Sequence, residues 1–189
     1  HTDEWPLHKD YNLTSPTKAL TSINNDLGTV AYLIIKNDSI FYEWYAEDYS
    51  KNSKTNSFSM AKSITTSLLG KAIMDGYIKN LDQPISDFYE EFEGTETTVG
   101  DLSSMASGLD WVESYTSPFS ITARANYDDD LAETILNQKV INTPGESFEY
   151  LSGSTQLLGM TIQKATDMPL AEYLSKSFWQ PLGAANDAL

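Results

Sequence analysis

The sequence predicts an α/β fold of the α+β kind: a β-hairpin followed by helices and loops, belonging to a sheet whose remaining strands are not in this chain. Three observations predict it. Thr29-Val-Ala-Tyr-Leu-Ile-Ile35 and Ile40-Phe-Tyr-Glu-Trp-Tyr-Ala46 are rich in β-branched and aromatic residues and are joined by the turn sequence Lys36-Asn-Asp-Ser39, so they read as a β-hairpin. After a polar linker from Asp48 to Ser57 the pattern switches to an apolar helical stretch, Phe58–Met74, stopped by Gly76. The rest reads as helices and loops with one short extended piece, Phe148–Leu151, so the strands that would complete a sheet are expected outside this chain.

Taken in order, residues 1–28 are a polar N-terminal segment with a helical turn or two around Thr17–Asn25, and the rest is one globular domain or part of one. The helix from Phe58 carries only Lys62 and Lys71 as charges before Met74. It therefore lacks the polar stripe of a surface helix and is expected to be central and buried on most sides. Thr98–Ser107 reads as a helix ending at Gly108, Leu109–Asn126 as irregular, and Asp128–Gln138 as a helix with an acidic start. Asn142-Thr-Pro-Gly-Glu146 is a turn, Ser154–Thr166 is a helix with Leu157, Leu158, Ile162 and Ala165 at helical spacing, and Leu170–Phe178 is a last helix.

Composition narrows what such a chain can do. Its 189 residues, 40% hydrophobic and 12% aromatic, suffice for one sizeable core. A net charge of −15, with 27 acidic residues against 12 basic ones, argues against a nucleic-acid partner, because phosphate binding needs clustered cations. No stretch reaches the roughly 18 uninterrupted apolar residues of a membrane span, and the first residues lack the basic and apolar regions of a signal peptide. The chain is expected to be soluble, with any leader removed or never present. The absence of Cys rules out disulfides and thiolate chemistry and leaves the compartment open. The two histidines, His1 and His8, fall where chain ends are usually poorly ordered, so a Ser-His-Asp triad or a histidine zinc site has little raw material. A nucleophile here would give its proton to Lys, Tyr or a carboxylate.

Ser59-Met-Ala-Lys62 suits that chemistry. Residues three apart share a helix face, so the amine reaches the hydroxyl one turn before it. Thr66, Leu69, Gly70 and Ile73 share that face and are uncharged. Desolvation and the positive end of the helix dipole both favour a neutral amine, and buried groups shift by ~3–5 pKa units. Ser59 at the first turn also has its own N–H available for an oxyanion. The plainer alternative is a serine N-cap, the common role of Ser at a helix start. The second piece is Tyr150-Leu-Ser152. A phenol near a lysine can have its pKa of ~10 lowered and serve as general base and then acid, although an isolated Tyr at such a position is usually a packing residue.

Phe58-Ser-Met-Ala-Lys-Ser-Ile64, Leu81-Asp-Gln-Pro-Ile85, Thr98-Val-Gly-Asp-Leu-Ser-Ser-Met-Ala-Ser-Gly-Leu109, Pro144-Gly145, Tyr150-Leu-Ser152, Leu157-Leu-Gly159 and Pro181-Leu-Gly183 occur in the order of the serine β-lactamase-like superfamily of class C β-lactamases, DD-peptidases and related esterases. From Gly28 onward the chain resembles that group, and the resemblance implies an antiparallel sheet flanked by helices plus a helical region, of which residues 29–189 would be the N-terminal portion, with the N-terminal hairpin and the helical part. Gly108-Leu-Asp-Trp-Val-Glu-Ser-Tyr115 and Pro181-Leu-Gly-Ala-Ala-Asn-Asp-Ala188 look most like its nylon-oligomer (aminohexanoate-dimer) hydrolase and family VIII esterase branch. The resemblance implies Ser59 as nucleophile, Lys62 as base, Tyr150 as general acid and base, Ser152 as a polar partner, and Tyr115 on a loop covering the substrate, where an exposed loop aromatic is the alternative.

It also implies an acyl-enzyme hydrolase of small-molecule esters, amides or β-lactams that needs no metal or other cofactor, and an exported location, periplasm or cell envelope, ahead of the cytoplasm. The family's third motif, Lys-Thr-Gly or His-x-Gly on a strand, is expected beyond Leu189. Without that C-terminal portion the 189-residue chain is expected to be inactive. The alternatives are a non-hydrolytic penicillin sensor or peptidoglycan-binding module of the same superfamily, and a purely structural α/β domain.

Overall fold

The computed structural model describes residues 4–117, 120–127 and 130–187. Contacts divide it into two compact units, residues 1–57 and 58–189.

In the first unit, helix α1 (Lys18–Asp26) is capped by Thr17, whose hydroxyl accepts the Leu20 N–H at 3.2 Å. Strands β1 (Ala31–Lys36) and β2 (Ser39–Tyr45) pair antiparallel, Ala31 opposite Tyr45 and Lys36 opposite Ser39, with a register shift between Ile34 and Ile35. Asn37 and Asp38 both take positive φ, 50° and 54°, as a two-residue hairpin turn matched to strand twist requires. Neither strand contains a fully buried residue. His1 lies outside the described residues, while Pro6 and His8 are tied to β2. The Ile40 N–H donates to Pro6 O and the His8 N–H to Ile40 O, both at 2.9 Å, and the His8 ring packs edge-on against Phe41.

The second unit is helical. Helix α2 (Met60–Met74) and helix α6 (Ser152–Thr166) pack on each other, and α6 also contacts α3 (Val99–Ser103), α5 (Leu131–Leu136) and α7 (Leu170–Leu174). Leu68 and Leu69 of α2 meet Leu157, Leu158 and Ile162 of α6 in one core with Phe92, Leu102 and Leu109. α2 stops where expected: Gly76 takes φ +82°, and the Tyr77 N–H turns back to Ala72 O.

Several local expectations need correction. α2 is not buried on most sides. Only Leu68, Leu69 and Ala72 are fully buried, whereas Ser63, Thr66, Ser67 and Gly70 are exposed. Absence of charge was an insufficient guide to burial, because small hydroxyl residues on this helix satisfy themselves: Thr65 and Ser67 donate to the carbonyls of Ala61 and Ser63 at 3.0 and 2.9 Å.

The helix expected over Thr98–Ser107 is five residues long. Thr98 and Asp101 form a capping box at its start, but Ser103 and Ser104 both turn their hydroxyls onto Gly100 O and Met105 takes φ +59°, which ends it. The stretch expected to be irregular contains α4 (Ile121–Tyr127), begun by Ser120, whose hydroxyl accepts the Ala123 N–H at 3.1 Å. α5 is shorter than the expected Asp128–Gln138 helix. Asp130 caps it by accepting the Glu133 N–H at 2.8 Å, and residues 128–129 lie outside the described residues. After α7 the chain continues in a single wide turn, Ser175–Trp179.

Candidate active site

The chain enters α2 through a strained corner. Phe58 has φ +43°, a left-handed conformation that bulky side chains rarely adopt, and such strain is sustained only where the surroundings over-determine it. Ser59 occupies the N-cap position, yet its hydroxyl makes no capping bond. The ordinary role of a serine at a helix start is therefore absent, and its oxygen engages two other groups. The Lys62 amine donates to Ser59 Oγ at 3.3 Å, and the Tyr150 hydroxyl, 91 residues further along the chain, donates to the same atom at 2.8 Å. Lys62 Nζ also lies 5.2 Å from the centre of the Tyr150 ring, within cation–π range.

The electrostatics of the cluster fall mainly on the phenol. The bond to Ser59 and then the one to Lys62 hold the Tyr150 hydroxyl below its ordinary value, against burial and the charge of Glu113, which push it up. Lys62 is half-buried, not stripped of water as the uncharged helix face suggested. Its relation to Ser59 comes from spacing and partners instead of from a dry setting.

Ser152 and Tyr115 are drawn to a residue that the sequence reading did not single out. Glu113 accepts four hydrogen bonds: the Ser152 N–H at 2.8 Å, the Ser152 hydroxyl at 2.6 Å, the Trp111 indole N–H at 2.8 Å, and the Tyr115 hydroxyl. Burial alone would raise the Glu113 carboxyl, but these donors outweigh it and keep it below the ordinary carboxylate value. The same bond raises the Tyr115 phenol. No pattern in the sequence marks Glu113, because its partners lie in an irregular loop and 39 residues downstream. The one available signal is a carboxylate two residues from both an aromatic N–H and an aromatic hydroxyl.

Between α2 and α6 a cavity of about 460 Å³ opens beside Ser59, lined also by Lys62, Trp111, Tyr115, Ser152 and Gln156. Among the described residues, Lys62 is the only charged one in its lining. Tyr115 is 73% exposed and lies in the lining of this cavity. A second groove on the Tyr150 side is lined by Ser59, Lys62, Ser103, Met105 and Phe148. The described residues contain no group of three or more His, Cys, Asp or Glu arranged to hold a metal.

A hydroxyl facing an amine and a phenol of lowered pKa, beside an open cleft, is an arrangement suited to nucleophilic attack on a carbonyl. The chain belongs to the Beta-lactamase family, whose model matches residues 18–189, and that membership supports a serine hydrolase type of function in general terms. It is 25% identical over 173 residues to the 6-aminohexanoate-dimer hydrolase of Paenarthrobacter ureafaciens, covering 85% of this chain and 44% of that protein. It is 28% identical over 164 residues to Protein flp of Staphylococcus aureus (strain NCTC 8325 / PS 47), covering 79% of this chain and 32% of that protein.

Among solved structures, one from Bacillus anthracis described as a candidate 6-aminohexanoate-dimer hydrolase superposes with a TM-score of 0.77 at 22% identity, covering 96% of this chain and 53% of that one. A class C beta-lactamase superposes at 0.67 and 16% identity, covering 88% and 47%. At these identities the superpositions show the fold: a β-lactamase-like fold of which this chain spans about half. No helix among the described residues is long and apolar enough to cross a membrane.

Proposed function

We propose that this chain carries the acylating residues of a serine hydrolase acting on small-molecule esters or amides. The observation that supports this most directly is the convergence of Lys62 and Tyr150 on Ser59 Oγ, at 3.3 and 2.8 Å. In the state described, both groups donate to that oxygen. When the Tyr150–Lys62 pair loses one proton, the Ser59 hydroxyl turns to donate to it, and a lowered phenol pKa makes that form accessible nearer neutral pH.

Ser59 Oγ then bonds to the carbonyl carbon while its proton passes to the pair. The Ser59 N–H, at the positive end of the α2 dipole, is placed to stabilise the developing oxyanion. Collapse breaks the bond to the leaving group, which takes the proton, and water releases the acyl group by the reverse path.

Replacing Ser59 by Ala in the full-length gene product is expected to abolish turnover of a p-nitrophenyl ester, and retained turnover would show that the nucleophile is elsewhere. Incubation with a β-lactam followed by intact-mass measurement separates a hydrolase, which sheds the adduct, from a sensor, which keeps it.

A further inference from the structure

We infer that Glu113 is a positioning residue of this site, a carboxylate that caps α6 from outside the helix and thereby sets Tyr150 against Ser59. The inference rests on the proposed role of Tyr150 and goes beyond it.

The first ground is the missing cap. Leu151 occupies the N-cap position of α6 and has no side chain able to accept the orphan N–H groups there. Glu113 takes that place. One oxygen accepts the Ser152 N–H and the other the Ser152 hydroxyl, which puts a negative charge at the positive end of a 15-residue helix. Tyr150 lies two residues before the anchored Ser152, so the direction of its side chain follows from how that first turn is held.

The second ground is that Glu113 is itself held. Its other donors, Trp111 Nε1 and the Tyr115 hydroxyl, come from the loop that borders the cavity. Trp111 is 3% exposed and lies so close to α6 that a Cβ on Gly153 would fall 2.5 Å from its ring. Loop, carboxylate and first helical turn form one block, which transmits the position of the loop to Tyr150.

The test separates positioning from mere charge, because the two predict opposite signs. As a nearby charge, Glu113 raises the Tyr150 phenol, so its removal would lower it. As a positioning residue, its loss slackens the contacts of Tyr150 with Ser59 and Lys62 and lets the phenol rise toward the ordinary 10.0.

The full-length gene product, labelled with 13C at tyrosine Cζ and assigned with Tyr150→Phe, is titrated by NMR as parent, Glu113→Ala and Glu113→Gln. The expected result is an upward shift of the Tyr150 midpoint in Glu113→Ala and a smaller rise in Glu113→Gln. Ester kcat is expected to fall about 10- to 100-fold with KM nearly unchanged. An unchanged or lowered midpoint overturns the inference whatever the activity. Should Glu113→Ala not fold, Glu113→Gln decides by the same midpoint. Should the parent fail to turn over esters, the hydrolase reading fails, while the midpoint still decides the role of Glu113.

Discussion

Two helical glycines should respond to the same substitution with opposite signs. An added Cβ at Gly153, in the first turn of α6, would lie 2.5 Å from Trp111 Cε3, 2.9 Å from Cδ2 and 3.0 Å from Cζ3. Ordinary carbon contacts are about 3.5–4.0 Å, so ring and helix would have to separate by roughly 1 Å. The indole cannot swing aside cheaply, since it is buried and its N–H is bound to Glu113 at 2.8 Å. Overpacking of this kind costs about 1–3 kcal/mol, against a gain of about 0.5–1 kcal/mol from replacing Gly by Ala in a helix.

The net expectation for Gly153→Ala is a loss of up to about 2.5 kcal/mol from those ranges, centred near about 1 kcal/mol. Gly70, in the middle of α2, has nothing within 4 Å of its added Cβ. There only the helix term acts, and Gly70→Ala should stabilise by about 0.5–1 kcal/mol. Urea unfolding of parent and both variants, followed by far-UV circular dichroism, reads the difference. Equal stabilisation by both substitutions would refute the close packing of Trp111 on α6 and, with it, the block that holds Tyr150.

Three other outcomes follow from the same geometry. Tyr150→Phe removes the 2.8 Å bond to Ser59 and should reduce ester kcat by about 10²–10⁴-fold. Because the side chain is 39% exposed, the unfolding midpoint of that variant should barely move, and a large drop would mark Tyr150 as a packing residue instead. Glu113, held below its ordinary value of 4.5, contributes stability that is fully present above that pH and is lost as pH falls through its lowered value; Glu113→Gln should flatten that part of the acid unfolding curve. Tyr173 is raised above 10.0, first by burial and then by its bond to Asp75 at 2.9 Å, so its contribution is present below pH 10.0 and is lost as pH rises further. Tyr173→Phe should therefore lessen the alkaline loss of stability in a thermal-melt series.

What the sequence could reveal depended on how local the cause was. The hairpin was legible because Asn37 and Asp38 supply the positive φ values that its turn needs, and the end of α2 because Gly76 does the same. The Ser59–Lys62 relation was legible as helix spacing. Tyr150 was not, since nothing near it in sequence says that its hydroxyl meets Ser59; only the order of motifs pointed there. Helix lengths were misjudged where serine side chains compete for the backbone, as at Ser103 and Ser104. α4 was missed because its start rests on one side-chain bond, the Ser120 hydroxyl accepting the Ala123 N–H. Glu113 is the extreme case. Its bonds to Trp111 and Tyr115 are local, but its role comes from the contact with Ser152, 39 residues downstream.

The measurement closest to the central claim is the site of covalent labelling. The full-length gene product is treated with a fluorophosphonate, digested and sequenced by mass spectrometry, alongside Lys62→Ala and Tyr150→Phe. The account predicts a single stoichiometric adduct on Ser59, formed much more slowly in both variants. An adduct on another residue, or labelling of Ser59 at the parent rate in both variants, would contradict it.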